Sequence, residues 1–472
     1  MQEAWLMNLT NLLSNLPEVK GPEEKKLGFK QKLKWTLIIL VSFFVLSVIP
    51  LFGLGQNSLA QFEQLSILLG ASFGSILSLG IGPIVTSSIV LQLLVGSGIL
   101  KIDNTTHEGR MFFQGLQKLL TIFFIIFEAG VYVFLGGLSP AATLVPSAFL
   151  RMQFLLVFQL IVGGLLILFM DEIISKWGFG SGVSLFIAAG VSSELIVRAF
   201  SPLTSTGALA FGSGQAPVGA VWVLLLSLVG GDPKSAMLAA FAIGATIVVF
   251  MLAVYAQSMK VEIPLTFGRV RGYGVRWPLN FLYTSNIPVI LVAALMANVQ
   301  LWARLMQNWG YPLLGTFVGN SPQSGFVLWL NNPQIITNLL TGSFVWSDIS
   351  HAIVYMLFMV VGAVIFSIFW VQTAGMDAGT QAKHIMSSGL QISGFRRDER
   401  VIESLLKRYI FPLTIMGGIA IGVLAASADL LGALSRGTGI LLAVMIIYRL
   451  YEDIAKQHMV DMYPMMRKMM GG

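Results

Sequence analysis

The chain has 472 residues, of which 56% are hydrophobic and only 11% are charged, and its formal net charge is +7. Soluble domains have roughly 25% charged residues, so this composition excludes an ordinary soluble globular protein. The absence of cysteine excludes disulfide bonds, thiolate metal sites and thiol catalysis. The positive net charge fits either nucleic acid or anionic lipid as a partner, and the distribution of the charge is needed to decide.

Apolar runs long enough to cross a membrane recur along the whole chain. A helical span needs about 20 apolar residues, and the runs here are continuous, whereas a membrane β-strand alternates apolar and polar residues. We therefore predict an all-α membrane protein with ten transmembrane helices. The predicted spans are residues 35–52, 80–98, 117–137, 147–170, 182–199, 236–258, 284–303, 352–371, 409–427 and 437–454.

The first 34 residues form a basic segment that leads directly into the first span. The stretch from Lys25 to Lys34 is followed by a full-length span without a small-residue cleavage pattern, so segment 1–34 is not predicted to be a cleavable signal. Leucines recur at helical spacing between Trp5 and Leu16. That spacing fits an amphipathic helix on the membrane surface, and it equally fits ordinary helix packing.

The basic residues are distributed unequally between the two faces that ten spans define. All but five of the 29 Lys and Arg residues fall on the side of the two termini, the exceptions being Arg151, Arg198, Lys234, Arg304 and Arg436. The positive-inside rule therefore predicts that segment 1–34, the tail 455–472 and the long loops 259–283 and 375–408 are cytoplasmic. No soluble domain is predicted.

The ten spans divide into two halves of five. The N-terminal half covers residues 35–205 and the C-terminal half residues 236–454, with an external loop at 206–235 between them. Because each half has an odd number of spans, the halves would have opposite orientation, which is typical of inverted repeats in transporters and channels. The residues of the two halves show no clear match.

Three apolar stretches are not predicted to be separate crossings. Pro217 to Val229 is too short to span, and Tyr311 to Leu330 is broken by glycine, asparagine and proline. Leu59 to Ser78 contains polar residues and runs into Gly80–Pro83 without a polar loop. We therefore predict a short re-entrant helix there, which stops at the glycine and proline break.

The spans carry few groups that could do chemistry. The four histidines lack a paired metal-ligand spacing, and neither a GxSxG elbow nor a Walker A loop is present, so no enzyme activity and no cofactor are predicted. Glu128 is the only ionisable residue well inside a predicted span, whereas an ion-coupled relay uses several. The alternative function is an inverted-repeat secondary transporter, which predicts polar residues facing a site at the membrane midplane.

The run from Ser75 to Leu94, SILSLGIGPIVTSSIVLQLL, closely resembles the signature of the SecY family, the main subunit of the protein-conducting translocon. Similar blocks follow over essentially the whole chain, at residues 171–190, 261–271, 285–290, 395–398 and 448–452, and their wording resembles archaeal members of the family. The resemblance implies a channel of two pseudo-symmetric inverted halves. Such a channel moves secretory proteins across the membrane and releases transmembrane segments sideways into lipid.

Matching the family's functional positions to this sequence gives four groups of candidate residues. The resemblance implies a pore ring of the aliphatic residues Ile81, Val85, Val183, Ile187, Ile290 and Leu442. It implies a plug near residues 57–78, resting under the ring. It implies a polar cluster at the lateral gate, made of Thr86, Glu128 and Asn286. It also implies contacts with the ribosome or another driving partner through Arg269, Arg271, Arg276, Arg396 and Arg397.

The resemblance further implies partners and a location. A small single-span SecE-type subunit and a Sec-beta-type subunit would complete a heterotrimer. Ribosomes, signal sequences, nascent chains and membrane lipids would be the other partners. The protein would be a multi-pass protein of the cell membrane with both termini in the cytoplasm.

Overall fold

Helices make up most of the computed structural model of this chain. The structure describes residues 16–23, 27–57, 71–96, 98–100, 102, 106–141, 144–204, 208–211, 215–267, 274–284, 287–318, 321–333, 335–387, 390–392, 398–435 and 437–462. The predicted all-α membrane fold is confirmed. The surface helix predicted between Trp5 and Leu16 lies outside the described residues, apart from Leu16 itself.

The described part of the chain contains five helices before residue 205 and nine after it. The first group is α1 (Phe29–Val48), α2 (Gly82–Gly96), α3 (His107–Phe134), α4 (Pro146–Trp177) and α5 (Gly182–Phe200). The second group is α6 (Ala220–Gly230), α7 (Pro233–Ser258), α8 (Ile287–Asn308), α9 (Phe326–Leu330), α10 (Ile335–Thr341), α11 (Trp346–Thr373), α12 (Ala378–Ser387), α13 (Glu399–Leu430) and α14 (Gly437–Met462).

Eight helices in the described part of the chain are long and apolar enough to cross a membrane, namely α1, α3, α4, α5, α7, α8, α11 and α13. Helix α2 is apolar but has only 15 residues, and α14 carries charged residues through its second half. The total of ten crossings therefore stays a prediction.

Side-chain caps and exposed lysines explain where several helices begin. Thr106 accepts a backbone N–H in the first turn of α3, and Asp232 accepts two at the start of α7. These oxygens satisfy donors that have no partner inside the helix. Helix α1 begins at Phe29, six residues before the predicted span, because the exposed side chains of Lys30 and Lys34 can reach water from a helix end.

The start of the first helix and the second half of the last helix lie side by side. The Gln457 side chain in α14 donates to the carbonyl oxygen of Leu27 at 2.9 Å, and the rings of Phe29 and His458 are 5.3 Å apart. The ring of Phe179, just after α4, is 5.6 Å from that of Phe29. We call this side of the molecule the terminal face. Because the start of the first helix and the end of the last lie on this one face, the arrangement agrees with an even number of crossings.

Residues 71–81, which lead into α2, form consecutive turns rather than a helix. Gly74 and Gly80 have φ angles of 97° and 55°, which glycine adopts readily and which interrupt a right-handed helix. The Ser78 hydroxyl accepts the N–H of Gly74 at 2.9 Å and so holds the turn together. The helix predicted over Leu59–Ser78 is therefore wrong at its C-terminal end, and the rest of it lies outside the described residues.

The two long loops of the C-terminal half fold together instead of remaining separate. Residues 259–283 contain β3 (Lys260–Phe267) and β4 (Gly274–Asn280), and residues 375–408 contain β7 (Leu390–Ile392). The three strands form one antiparallel sheet in the order β4–β3–β7. A second apolar core lies beside it, in which Ile263, Leu279, Ala382, Ile402 and Leu406 are buried.

Smaller elements occupy the connections elsewhere. β1 (Leu54–Asn57) pairs with β2 (Leu138–Pro140), and β5 (Phe317–Val318) pairs with β6 (Ser321–Pro322). Helix α6 lies in the predicted external loop and packs along α7. It has 11 residues, well short of the roughly 20 that a span needs. This agrees with the prediction that this stretch does not cross the membrane.

Gly163 in α4 lies directly against the turns of residues 71–81, where a Cβ atom would overlap the carbonyl oxygen of Ile76. We expect Gly163→Ala to lower the free energy of unfolding by roughly 1–3 kcal/mol, because a backbone carbonyl cannot yield as a side chain can. The measurement is the unfolding midpoint in detergent.

The matched control is Gly130→Ala in α3, whose Cβ would come no closer than 3.9 Å to Phe134. It should be neutral or slightly stabilising, since alanine favours a helix over glycine by about 1 kcal/mol. An equal loss of stability in both variants would contradict the close approach of α4 to the turns.

Candidate pore and gate

The six predicted ring residues lie in one apolar core. Five of them are buried, namely Ile81, Val85, Ile187, Ile290 and Leu442, and Val183 is partly buried against the same cluster. They come from α2 and the residue before it, and from α5, α8 and α14. Parts of the chain that are far apart in sequence thus bring aliphatic side chains into one cluster.

A cavity of about 660 Å³ opens on the terminal face and leads towards this core. Its charged and amide lining residues are Gln92, Arg110, Gln114, Gln117, Asp171, Arg449 and Asp453. Its aliphatic lining residues include Ile84, Val85, Val183, Ile287, Ile290 and Ile446. Along α14, Asp453 and Arg449 are nearer the terminal face than Ile446, so the lining changes from charged to aliphatic with depth.

The ring residues form two successive layers at the end of this cavity. The three that line it are Val85, Val183 and Ile290. The three that do not line it are Ile81, Ile187 and Leu442, each at most 1% exposed. Each of the latter lies four residues, about one helical turn, beyond an aliphatic residue of the lining. The cavity therefore ends on aliphatic side chains, not on polar ones.

Thr86 stands at the centre of a buried polar cluster between α2, α3 and α8. Its hydroxyl lies 3.1 Å from Glu128 Oε1 and 2.8 Å from the carbonyl oxygen of Gly82, and it accepts from Asn298 Nδ2 at 3.0 Å. Asn286, the predicted third member, lies outside the described residues. Asn298, twelve residues later on the same predicted span, makes the contact with Thr86.

Helix α2 is bonded more extensively to α3 than to α8. Besides the Thr86–Glu128 contact, the hydroxyls of Ser87 and Thr121 are 2.6 Å apart. The Gln117 amide donates to the Ser88 hydroxyl at 2.7 Å. Across the other interface, the Asn298–Thr86 bond is the one side-chain hydrogen bond between α2 and α8 in the described part of the chain. Helices α2 and α3 therefore form a pair held by three polar contacts.

Two further carboxylates lie in the long apolar helices, of which Asp429 is buried and Glu194 is partly buried. Asp429, near the end of α13, accepts the backbone N–H of Thr438 at 2.7 Å. Glu194 in α5 pairs with Arg198 at 2.8 Å. The expectation that Glu128 stands alone inside the spans is therefore wrong. The sequence analysis did not identify Asp429 because it lies two residues beyond the predicted span 409–427, which contains most of α13.

The predicted arginine cluster is described only in part. Arg276 lies in β4, where its backbone is opposite Pro264 of β3. Four residues lie outside the described part of the chain: Arg269, Arg271, Arg396 and Arg397. In the sequence, residues 268–273 stand between β3 and β4, and residues 393–397 come directly after β7. The sheet thus joins the two arginine-containing loops.

Two family models match the chain and together cover most of it. The SecY model matches residues 75–451, and the model for the plug domain of Sec61p matches residues 41–74. The plug match overlaps the predicted plug near 57–78. The match ends at residue 74, four residues before the end of the predicted plug.

Relatives and solved structures give the same result. The chain is 45% identical to protein translocase subunit SecY of Methanothermobacter thermautotrophicus over 98% of each chain. It is 42% identical to that of Methanocaldococcus jannaschii over 98% of this chain and 100% of the other. A solved structure described as a protein conducting channel has 41% identity and a TM-score of 0.81, covering 97% of this chain and 98% of that one. Sec61 in the canine ribosome-channel complex has 40% identity and a TM-score of 0.78, with the same coverage.

The contact between Thr86 and Asn298 can be tested by a double-mutant cycle. We expect Thr86→Val and Asn298→Leu to be coupled by about 0.6 kcal/mol in the free energy of unfolding, the average for interhelical hydrogen bonds in membranes. The same cycle with Asn286→Leu in place of Asn298→Leu should give no coupling. A coupling of Thr86 to position 286 that equals or exceeds the coupling to 298 would return the third place in the cluster to Asn286.

Proposed function

The chain belongs to the SecY family, and we propose that its aliphatic ring, its polar cluster and its arginine-rich loops are the seal, the side gate and the docking site of the channel. The protein is a protein-conducting channel of the membrane. One observation carries the proposal for the seal, which is that the cavity leading from the terminal face ends on aliphatic side chains.

An aliphatic ring suits a channel for unfolded polypeptides. A narrow apolar constriction excludes water and therefore ions, without any fixed polar group. Aliphatic side chains also make no directional bonds, so they can move aside for a passing chain of almost any sequence. The two layers described above, with Ile81, Ile187 and Leu442 as the deeper one, would give this seal a depth of about one helical turn.

The same feature weighs against a secondary transporter. A transporter holds its substrate near the membrane midplane with polar or charged groups, often at broken helices. Here the charged side chains of the cavity, such as Arg449 and Asp453, lie towards the terminal face, and the deeper lining is aliphatic. A small polar substrate would find few partners at that depth.

We assign the plug to the region near 57–78, below the ring. The turns at residues 71–81 support this, because they run directly into ring residue Ile81 and pack against α4 at Gly163. The overlap with the plug model at residues 41–74 supports it as well. The described turns are held by hydrogen bonds among themselves and by three bonds to Ser47, Ile49 and Leu51. In this proposal the plug leaves its seat by breaking a few such bonds, without unfolding a transmembrane helix.

The gate opens between α2 and α8 in this proposal. Among the described residues, one side-chain hydrogen bond crosses that interface, against three polar contacts between α2 and α3, and this difference favours movement of α2 and α3 together away from α8. A contact of this kind contributes about 0.6 kcal/mol on average. An apolar signal sequence that binds in the opened gap can displace so weak a bond and then pass into lipid.

The proposed partners need exposed surface, and two helices offer it. Only 17% of the apolar window of α1 and 22% of that of α7 are buried, against 72% for α8. The exposed faces of α1 and α7 are available to lipid and to the single-span helices of a SecE-type and a Sec-beta-type subunit. We place the terminal face in the cytoplasm and the protein in the cell membrane, since most Lys and Arg residues belong to that face.

The arginine-rich loops are proposed to contact the ribosome. The canine relative was solved in a ribosome-channel complex. Arginine pairs with phosphate through two parallel hydrogen bonds, which suits ribosomal RNA. A rigid sheet that joins both loops would let Arg276 and the four arginines of segments 268–273 and 393–397 act on one partner surface.

The seal is tested by making the ring polar. We expect the triple variant Ile81→Ser, Ile187→Ser and Ile290→Ser to leak ions at rest, because hydroxyl groups let water into the constriction. The measurement is the conductance of planar bilayers that contain the purified channel.

A matched control is Ile353→Ser in α11, an aliphatic residue that is 63% exposed and lies outside the ring. It should conduct no more than the wild type. A ring variant that conducts no more than this control would remove the seal assignment.

The docking site is tested by reversing charge. We expect Arg269→Glu combined with Arg396→Glu to weaken ribosome binding by about tenfold at low salt, with a smaller difference as salt rises. Co-sedimentation measures this. Arg151→Glu, near the start of α4 and on the face opposite the terminal face, is the control. Equal ribosome binding by the wild type, the double variant and the Arg151→Glu control would refute the assignment of the docking site.

A further inference from the structure

Helix α5, which carries ring residues Val183 and Ile187, begins in the protein interior at a residue without a side chain. A Cβ on Gly182 would lie 2.6 Å from the Cα atom of Asp171, so α5 can start there only as glycine. The Asp171 carboxylate accepts the N–H of the next residue, Val183, at 3.0 Å. Asp171 belongs to α4 and thus caps α5 from a neighbouring helix.

A second bond fixes the turn just before α5. Thr36 in α1 accepts the N–H of Phe179 at 3.1 Å through its hydroxyl oxygen. The hydroxyl proton is donated to the carbonyl of Lys32, one turn earlier in α1, at 2.9 Å. The start of α5 is therefore bound on one side to α4 and on the other to α1.

The C-terminal half contains the same arrangement at the start of α14. A Cβ on Gly437 would overlap the carbonyl group of Ala428 in α13. The carboxylate of Asp429, also in α13, accepts the N–H of Thr438 at 2.7 Å, and the Thr438 hydroxyl donates to its other oxygen.

The threonine is repeated as well. Thr246 in α7 accepts the N–H of Leu434 at 3.1 Å. Its hydroxyl proton goes to the carbonyl of Ala242, one turn earlier in α7, at 2.8 Å. In each half, the helices that contain the first, fourth and fifth predicted spans thus contribute a threonine, an aspartate and a glycine to the same set of bonds.

The two sets agree residue by residue when they are counted from the glycine. The residue three positions before it donates to the threonine, and the residue one position after it donates to the aspartate. Ile187 and Leu442, both in the deeper layer of the ring, each stand five positions after it. This is the match between the halves that the sequence alone did not reveal.

We propose that these two clasps, Thr36 with Asp171 and Thr246 with Asp429, are positioning devices that set the depth of Ile187 and Leu442 in the seal. The proposal rests on the assignment of those two residues to the ring. Five residues of helix rise about 7.5 Å, so a start fixed by two hydrogen bonds and a close glycine contact fixes the height of the sixth residue.

The inverted orientation of the halves explains why the same set of bonds at two helix starts can place two residues at one depth. Helix α5 begins towards the terminal face, and an inverted repeat makes α14 begin towards the opposite face. The two helices then approach the constriction from opposite sides by the same distance. Buried N–H groups at such starts have no water to bind, and the clasps supply the acceptors that they need.

The test removes one acceptor at a time and measures ion leak. We expect Asp171→Leu and Asp429→Leu to raise the resting leak by about tenfold or more, since a hydrogen bond to a charged group is among the stronger ones in proteins. Asp171→Asn keeps a side-chain oxygen for the Val183 N–H and should stay sealed. Asp232→Leu is the matched control, because it removes a helix cap from α7, which carries no ring residue.

A second set of variants makes smaller changes at the same helix starts, so that the test does not depend on the aspartate variants folding. Thr36→Val and Thr246→Val remove an acceptor with little change of shape, and Gly182→Ala pushes the start of α5 away from Asp171. All three should leak, whereas Gly244→Ala should not, since a Cβ there meets nothing within 4 Å.

A direct readout of position uses the absence of native cysteine. A single cysteine introduced by Ile187→Cys should react with a water-soluble thiol reagent about tenfold faster when Asp171→Leu is also present. A cysteine introduced by Ile353→Cys should react at the same rate in both backgrounds. Leak and labelling that rise together, with rescue by Asp171→Asn, support the clasp.

Three results would overturn the proposal, and they can be told apart. If Ile187→Ser and Leu442→Ser leak but the clasp variants stay sealed, the ring stands and the clasps do not position it. If Asp171→Asn or Asp232→Leu leaks as much as Asp171→Leu, the effect is general destabilisation. If Ile187→Ser and Leu442→Ser themselves stay sealed, the ring assignment fails and the proposal fails with it.

Discussion

A seal made of aliphatic side chains has no directional bonds of its own, so the helices that carry it must supply its geometry. Apolar contacts depend on area and distance but hardly on orientation. Orientation in this chain comes from polar groups behind the ring, such as Ser78 before α2, Asp171 beside α5 and Asp429 beside α14. Backbone N–H groups at membrane depth need partners in the protein. In our proposal, the bonds that satisfy the backbone therefore also align the seal.

The contacts of α2 differ between the helix with which it would move, α3, and the helix from which it would part, α8. Helix α8 has the most buried apolar window among the eight long apolar helices of the described chain, and its contact with α2 holds a single side-chain hydrogen bond. Helices α2 and α3 are joined by three polar contacts. An interface of close apolar packing with few directional bonds can part and reform without leaving many polar groups unsatisfied.

How much could be predicted from the sequence depended on the range of the interactions. The shared apolar cluster of the candidate ring residues and the contact of Thr86 with Glu128 could be anticipated, because the family resemblance covers the whole chain. The contact of Asn298 with Thr86 could not, since it depends on how α8 packs against α2. The β4–β3–β7 sheet was missed because β3 and β4 contain Pro264 and Pro278, and because β7 has only three residues. Asp171 and Asp429 were missed because they stand one and two residues outside the apolar windows that defined the spans.

The hydrogen bonds of the Thr86 hydroxyl bear on how the proposed gate would respond to a passing chain. The hydroxyl has one proton and two neighbouring acceptors, Glu128 Oε1 and the carbonyl of Gly82, while Asn298 only donates to it. If α8 withdraws as proposed, Thr86 can keep its proton bonded to the carbonyl of Gly82 within α2, and the Asn298 amide N–H loses Thr86 as its acceptor. Every polypeptide carries carbonyl oxygens along its backbone. A chain passing through the proposed gate could therefore take the place of Thr86 as the acceptor, so this contact would recognise the peptide backbone irrespective of sequence.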